Sequence, residues 1–202
     1  VMGGDGMETF IDWSNANYIY ATSQNGDLNI SSDGGNSFNG IGWGINENGS
    51  WVTPWLQHPT NSQTIFAGFE NVWKSTDRGN SWSKISSFNS QLTCLAIAKS
   101  NPNYIYASNG ATVYRTNNGG ATWTTLTIPL AGSNALSYIE VSPTNPSKLW
   151  MTRSGYGVNN KVYKSIDAGA TWTNISGNLP NIPANCVVAQ NGSVDGLSLI
   201  HI

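Results

Sequence analysis

Charge is scarce in this sequence. Asp, Glu, Lys and Arg make up 10% of its 202 residues, against about a quarter in an average globular domain. The 9 basic residues are scattered singly among 11 acidic ones, and the net charge is −2. Such a chain has no electrostatic footprint for nucleic acid or for an anionic membrane surface. No apolar run approaches the ~20 residues that cross a bilayer as a helix, so no membrane insertion is expected. Histidine is limited to His58 and His201 and cysteine to Cys94 and Cys186, too few ligands for a metal centre; no metal and no cofactor are expected. The two cysteines sit at matching points of related segments, Leu92-Thr-Cys94-Leu-Ala96 and Ala184-Asn-Cys186-Val-Val188. They read as buried thiols acting as small hydrophobes rather than as a disulfide.

Glycine (22 residues), Asn, Ser and Thr take the place of the missing charges and helix formers. They signal many turns. Nine Trp and eight Tyr supply apolar area suited to pleated surfaces. The chain therefore reads as all-β, with enough apolar residues (39%) to sustain a core.

Within it, one eight-residue phrase occurs four times. The copies are Ser31-Ser-Asp33-Gly-Gly35-Asn-Ser37-Phe38, Ser75-Thr-Asp77-Arg-Gly79-Asn-Ser81-Trp82, Thr116-Asn-Asn118-Gly-Gly120-Ala-Thr122-Trp123 and Ser165-Ile-Asp167-Ala-Gly169-Ala-Thr171-Trp172. Their third positions lie 44, 41 and 49 residues apart. A period of that size marks a repeat architecture in which each unit is one supersecondary element. Each copy has the same surroundings. A first strand (residues 8–12, 51–56, 92–98 and 137–141) precedes a turn rich in Asn and Pro, and a second strand follows (17–21, 63–68, 103–107 and 148–152). A third strand (27–30, 71–74, 112–115 and 161–164) leads into the phrase, and a fourth follows it at 81–85, 122–126 and 171–175. Four short antiparallel strands per unit describe the blade of a β-propeller. The expected blades span residues 7–40, 51–87, 91–128 and 136–177, with the start of a fifth at 184–197, in one incomplete propeller segment of a larger ring of about seven. The stretch Gly196–Ile202 abandons the pattern, and its last five or so residues are expected to be truncated or non-native. The opening residues do not read as a signal peptide, and a mature form or a fragment is expected.

The phrase resembles the Asp-box, or BNR repeat, of sialidases, xyloglucanases and sortilin-type receptor propellers, and the resemblance covers nearly the whole chain. Its logic is local. Gly35, Gly79, Gly120 and Gly169 supply positive φ, and the Asp and Ser/Thr side chains bind turn N–H groups. On this reading Asp33, Asp77 and Asp167 are structural and not a catalytic set. Asn118 keeps the acceptor and drops the charge. The opening Met2-Gly-Gly-Asp5-Gly-Met7 with Tyr18-Ile-Tyr20-Ala-Thr22 is similar to the first blade of xyloglucanase-type enzymes, in which a catalytic Asp follows the second strand. Gln24 stands at that place, and a glutamine is neither a general acid nor a general base. A glycosidase needs two carboxyl groups about 5–10 Å apart. Sialidase chemistry needs an arginine cluster, and Arg78 in a box, Arg115 at a strand end and Arg153 in a loop do not converge.

Propellers bind ligands at the mouth of the central channel, on the innermost strands and their loops. That points to Asp5, Glu8, Asp12 and Gln24 in the first unit, Trp43, Trp51 and Trp55 around the second, and Glu140 and the loop bearing Tyr156 in the fourth. Tryptophan faces stack on sugar C–H groups while amides and carboxylates bridge hydroxyls; the same rings also serve as packing between blades. The resemblance implies a secreted or cell-surface bacterial protein whose segment binds a polysaccharide, a surface glycan or a protein partner, without catalysis in these residues. The alternatives are a fragment of a glycoside hydrolase and a protein–protein propeller of sortilin type.

Overall fold

The structure, a computed structural model, describes residues 3–129, 135–157, 159–190, 192–193 and 195–200. Met2, at the head of the xyloglucanase-like opening, and His201 and Ile202, in the expected non-native tail, lie outside them. The strands are β1 (Thr9–Ile11), β2 (Ile19–Ser23), β3 (Asp27–Ser31), β4 (Asn39–Gly40), β5 (Trp55–Gln57), β6 (Ile65–Gly68), β7 (Val72–Ser75) and β8 (Ser83–Lys84). They continue as β9 (Cys94–Ile97), β10 (Ile105–Ser108), β11 (Val113–Thr116), β12 (Thr124–Leu126), β13 (Leu136–Val141), β14 (Leu149–Arg153), β15 (Val162–Ser165), β16 (Thr173–Asn174), β17 (Cys186–Ala189) and β18 (Leu197–Ile200). Consecutive strands pair, giving four four-stranded sheets, β1–β4, β5–β8, β9–β12 and β13–β16, and the hairpin β17–β18. Sheets of this kind are the blades of an all-β propeller. Two compact units divide the chain, one ending at Leu95 and one beginning at Ala96.

The second strand of each blade is buried without interruption in β6 (Ile65–Gly68), β10 (Ile105–Ser108) and β14 (Leu149–Arg153), and in β2 from Tyr20 onward. Two-sided burial explains why these strands read as apolar runs and not as alternation. In the first unit Tyr20, Leu28, Ile41, Trp55, Ile65, Ala67, Phe69 and Trp73 form one core cluster, drawn from both of its blades. Phe10 stacks on Tyr20 at 4.7 Å, and Trp55 meets Tyr20 edge-on at 5.7 Å.

Each box is a hydrogen-bonded cage. In the first, the Ser31 hydroxyl donates to Asp33 Oδ1 (2.7 Å) and accepts from Gly35 N (2.9 Å). Asp33 Oδ1 also accepts from Ser37 N (2.9 Å), and Oδ2 from the Ser37 hydroxyl (2.6 Å). The same bonds recur around Asp77 and Asp167. In the third box one bond reverses direction. Asn118 Nδ2 donates to Thr122 Oγ1 (2.8 Å), and Oδ1 still accepts from Thr122 N (2.9 Å). Donation from Ser37 and then from Ser31 holds the Asp33 carboxyl well below the usual range, and donation from Thr171 brings Asp167 down to about 2.

The turn needs two successive positive-φ residues, one more than the glycine pattern implies. Gly34, Arg78, Gly119 and Ala168 (φ 58 to 75°) precede Gly35, Gly79, Gly120 and Gly169 (φ 86 to 98°). The first of each pair donates its N–H to the loop joining strands one and two, at Asn17 O, Gln63 O, Asn103 O and Ser147 O (2.7–3.1 Å).

Three expectations are corrected, and one strand is added. β5 begins at Trp55, not Trp51, because Thr53 Oγ1 turns back to Ser50 O (2.8 Å) and Pro54 has no N–H for a ladder. The first blade has its fourth strand, Asn39–Gly40, hidden in sequence by its lack of apolar residues. Arg153 ends β14 and is buried, and does not lie in a loop. Leu197–Ile200 keeps the blade pattern, pairing Leu199 with Val187. Neither cysteine forms a disulfide; Cys94 is buried and Cys186 partly exposed.

The second box glycine is also a contact point between blades. A Cβ on Gly79 would lie 2.5 Å from Ile41 Cδ1 and 3.0 Å from Ile41 Cβ, whereas on Gly35 the nearest atom is Ile19 Cδ1 at 3.4 Å. Both glycines have φ 93°, so an alanine carries the same backbone strain at either. Gly79→Ala is therefore expected to cost about 1–3 kcal/mol more than Gly35→Ala, the usual penalty of overpacking. Paired thermal or urea unfolding curves measure the difference.

Candidate functional site

The segment from Gly42 to Pro54 joins the first blade to the second and carries Trp43 and Trp51. It is rich in Gly and Asn, yet tied down along its length. Glu47 is the main anchor. Its side chain is only 8% exposed. Oε2 accepts from Asn71 N and Trp73 Nε1, and Oε1 from Asn71 Nδ2, all at 2.9 Å. Lys84 Nζ stands 3.6 Å from Oε1. Asn71 relays the anchor, its Oδ1 accepting from Phe88 N (2.6 Å) and from the Ser86 hydroxyl (3.1 Å). Burial pulls the Glu47 carboxyl upward, but the donors on Trp73 and Asn71 and the charge of Lys84 outweigh it and leave it below the ordinary glutamate value.

Further along, Gly49 passes so close to the first blade that a Cβ there would lie 3.0 Å from Asn25 C and Gly26 Cα. The Ser50 hydroxyl donates to Leu92 O, and Gln91 Nε2 to Gly49 O (3.3 Å). Trp51 O accepts from Asn25 N (3.3 Å). From this anchored segment two indoles project into solvent. Trp43 is 79% exposed, with Nε1 donating to Gly40 O (2.9 Å), and Trp51 is 58% exposed.

The remaining sequence candidates fall differently. Asp5 is exposed, and its N–H donates to Gln24 Oε1 (3.1 Å), so Gln24 holds the opening segment in place. Glu8 is exposed, while its carbonyl accepts from Thr22 N (3.0 Å) and Trp55 Nε1 (3.4 Å). Two candidates are internal. Asp12 is buried, with Ser14 N (2.8 Å) and the Ser14 hydroxyl (2.7 Å) on Oδ1 and Arg78 Nε (3.2 Å) on Oδ2. Trp55 belongs to the core cluster. In the second unit Glu140 is half-buried on β13 and accepts from Ala189 N (3.3 Å), and burial pushes its carboxyl up. Tyr156 is exposed on the loop after β14.

Sequence reasoning missed Glu47 and Trp13. Glu47 is the only carboxylate between Asp33 and Glu70, an isolated acid in a stretch of Gly and Asn, and that isolation was the available signal. Trp13 is exposed in the turn after β1, its Nε1 donating to His58 O (3.0 Å). Among the described residues no cluster of three or more His, Cys, Asp or Glu is placed to hold a metal ion.

Residues 70–193, more than half of the chain, match the family Sortilin-Vps10, described as sortilin, neurotensin receptor 3. The chain belongs to the Sortilin-Vps10 family. No curated protein matches it. Among solved structures it is similar to an ancestral GH74 enzyme (24% identity, TM-score 0.71, 87% of this chain and 24% of that one). It is also similar to the GH74 xyloglucanase from Xanthomonas campestris (16%, TM-score 0.72, 93% and 33%). A third likeness is to an auxiliary nutrient binding protein from Bacteroides thetaiotaomicron (10%, TM-score 0.67, 98% and 52%). At these identities the likeness is one of fold. The chain spans between a quarter and about half of the length of these structures. The Asp-box propeller reading of the repeats therefore holds for this Sortilin-Vps10 chain.

Because its folded value is depressed, Glu47 stabilises the fold fully above the ordinary value of 4.5, and that contribution is lost as pH falls through the lower folded value. Glu47→Gln keeps one acceptor oxygen but turns an NH2 group towards donors. It is expected to cost about 1.5–3 kcal/mol at neutral pH, the range for a hydrogen bond to a charged group, and to flatten the acid limb. Thermal midpoints of both proteins between pH 3 and 7 check this.

Proposed function

We propose that this chain is the ligand-binding part of a secreted or cell-surface Asp-box propeller, and that Trp43 and Trp51 form its contact surface for a polysaccharide or surface glycan. One observation carries the reading: two largely exposed indoles on a segment held by Glu47, Gly49 and Ser50. Tryptophan is highly buried on average in folded proteins, so two largely exposed indoles on one segment stand out. On an anchored segment little conformational freedom is left to lose on binding, which raises affinity. Flat apolar rings in a chain of low charge suit the C–H faces of neutral sugars better than an ionic partner.

The rival is a fragment of a glycoside hydrolase. The fold likeness to GH74 enzymes supports it, since the chain spans a quarter to a third of those proteins. Against it stands Gln24, whose amide oxygen accepts from Asp5 N and which cannot exchange a proton in the working pH range. A protein partner is the third reading, supported by membership of a family described by a receptor.

Affinity electrophoresis of the chain in gels containing xyloglucan or an unbranched β-glucan tests the proposal. Retardation is expected, weakened about tenfold or more by Trp43→Ala or Trp51→Ala, a change equivalent to about 1.4 kcal/mol, with thermal midpoints unchanged. Retardation indifferent to both substitutions sinks the stacking surface. Release of reducing sugar by the full-length protein, lost on replacing an inner-loop Asp or Glu, would establish the hydrolase reading instead.

A further inference from the structure

The proposed glycan surface has an aromatic half, and the hydroxyls of a sugar need a polar one. Around Trp51 two segments of the chain supply it. The turn Gln24–Gly26 closes the hairpin β2–β3, in which Ser23 pairs with Asp27. Within that turn Asn25 N donates to Trp51 O (3.3 Å). Asn48 lies three residues before Trp51. The glycine that follows it is pressed against the same turn, since a Cβ on Gly49 would lie 3.0 Å from Asn25 C and from Gly26 Cα. Asn25, Asn48 and Trp51 thus stand on adjoining backbone, and all three are exposed.

The two amides are set apart by being uncommitted. Elsewhere the chain spends its amides on its own turns. Asn15, Asn61, Asn101 and Asn145 each accept, through Oδ1, from the N–H two residues on. Asn36 and Asn80 donate to the carbonyls of Asp33 and Asp77. Among the described residues the side chains of Asn25 and Asn48 enter no hydrogen bond. Asn25 is also held in the left-handed region, at φ 61°, which side chains longer than Asn or Asp rarely adopt. Its surroundings keep it there. Gly26 faces the buried Phe69, whose ring an added Cβ would strike, and Gly49 closes the other side. A costly conformation fixed by its neighbours recurs where a side chain has to be aimed. A fixed backbone beneath the amide also leaves less freedom to lose on binding.

We propose that the Asn25 and Asn48 amides form the hydrogen-bonding half of the glycan surface and select neutral glycans whose units keep two adjacent hydroxyls free. This rests on the reading of Trp43 and Trp51 as that surface. A carboxamide carries an acceptor oxygen and two N–H donors on one planar group. It therefore matches a pair of neighbouring hydroxyls, accepting from one and donating to the other. A sugar stacked on the ring of Trp51 turns its edge, where the hydroxyls lie, towards the amides. A ligand without the pair strips water from the amides and leaves them unsatisfied, which is how a polar site rejects an analogue that lacks a hydroxyl.

Isothermal titration of the intact chain with cellohexaose and with laminarihexaose tests the selection. Both are neutral chains of glucose and offer the same ring faces for stacking. The cello linkage leaves two adjacent hydroxyls free on each inner unit, whereas the laminari linkage leaves none adjacent. Cellohexaose is expected to bind more tightly, each amide contributing roughly 2–10-fold, the worth of one net hydrogen bond. Asn25→Gly and Asn48→Ala are each expected to lose that factor for cellohexaose and to leave laminarihexaose unchanged. Glycine keeps the left-handed turn and the N–H that bonds Trp51 O, so the first variant removes the amide alone. Trp51→Ala is expected to weaken both ligands. Equal affinity for the two chains, amide variants that bind cellohexaose as the unaltered protein does, or a loss shared equally by both chains would each overturn the selection and leave the stacking surface standing. Binding of neither chain would remove the surface and the selection together.

Discussion

Each blade depends on one hydroxyl that works twice. Ser31, Ser75, Thr116 and Ser165 donate to the box Asp or Asn and accept from the glycine N–H four residues on. The hydroxyl is buried at the end of the third strand, so both partners are needed to satisfy it. The closed cage reverses the chain within a few residues and delivers the fourth strand to the sheet. Asn118 shows what the cage requires. It requires an acceptor for a backbone N–H and a polar group facing the Ser/Thr hydroxyl, in either direction of donation.

The cage has a cost, since its first positive-φ position is occupied by Arg78 and Ala168 in two boxes. Left-handed backbone is unfavourable by about 1–2 kcal/mol for such residues. The surrounding contacts offset it. Arg78 reaches Asp12 and Ser62 and lies over the Tyr18 ring at 4.4 Å. The Ala168 carbonyl accepts from Arg115 Nη1 (3.0 Å). Apart from the bond to Ser62, these contacts cross from one blade to the next, so the strained turn and the blade interface stabilise each other. Ile41 over Gly79 and Leu126 over Gly169, where an added Cβ would lie 2.5 Å away, repeat the arrangement in apolar form.

The segment bearing Trp43 and Trp51 inherits its order from this framework. Glu47 reaches the second blade because Asn71 and Trp73 begin a strand whose register the box already holds. Low overall charge gives that carboxylate its weight: few competing ions lie nearby, and burial strengthens each bond to it.

The repeat, the strand order and the box chemistry were legible in the residues because they are local. A Ser-x-Asp-x-Gly turn is closed by atoms within seven residues of one another, and period and pattern expose it. The short outer strand Asn39–Gly40 was not legible, since it has no apolar residue to announce it. The burial of Asp12 and Trp55 and the exposure of Trp43 and Trp51 were decided only by tertiary structure. The sequence by itself determined which residues turn and which pair. Which of its few charges and many tryptophans face water depends on neighbours some 20 to 70 residues away, such as Asn71 for Glu47 and Arg78 for Asp12. Burial is a property of packed surfaces, and no local pattern encodes what a neighbouring blade will cover.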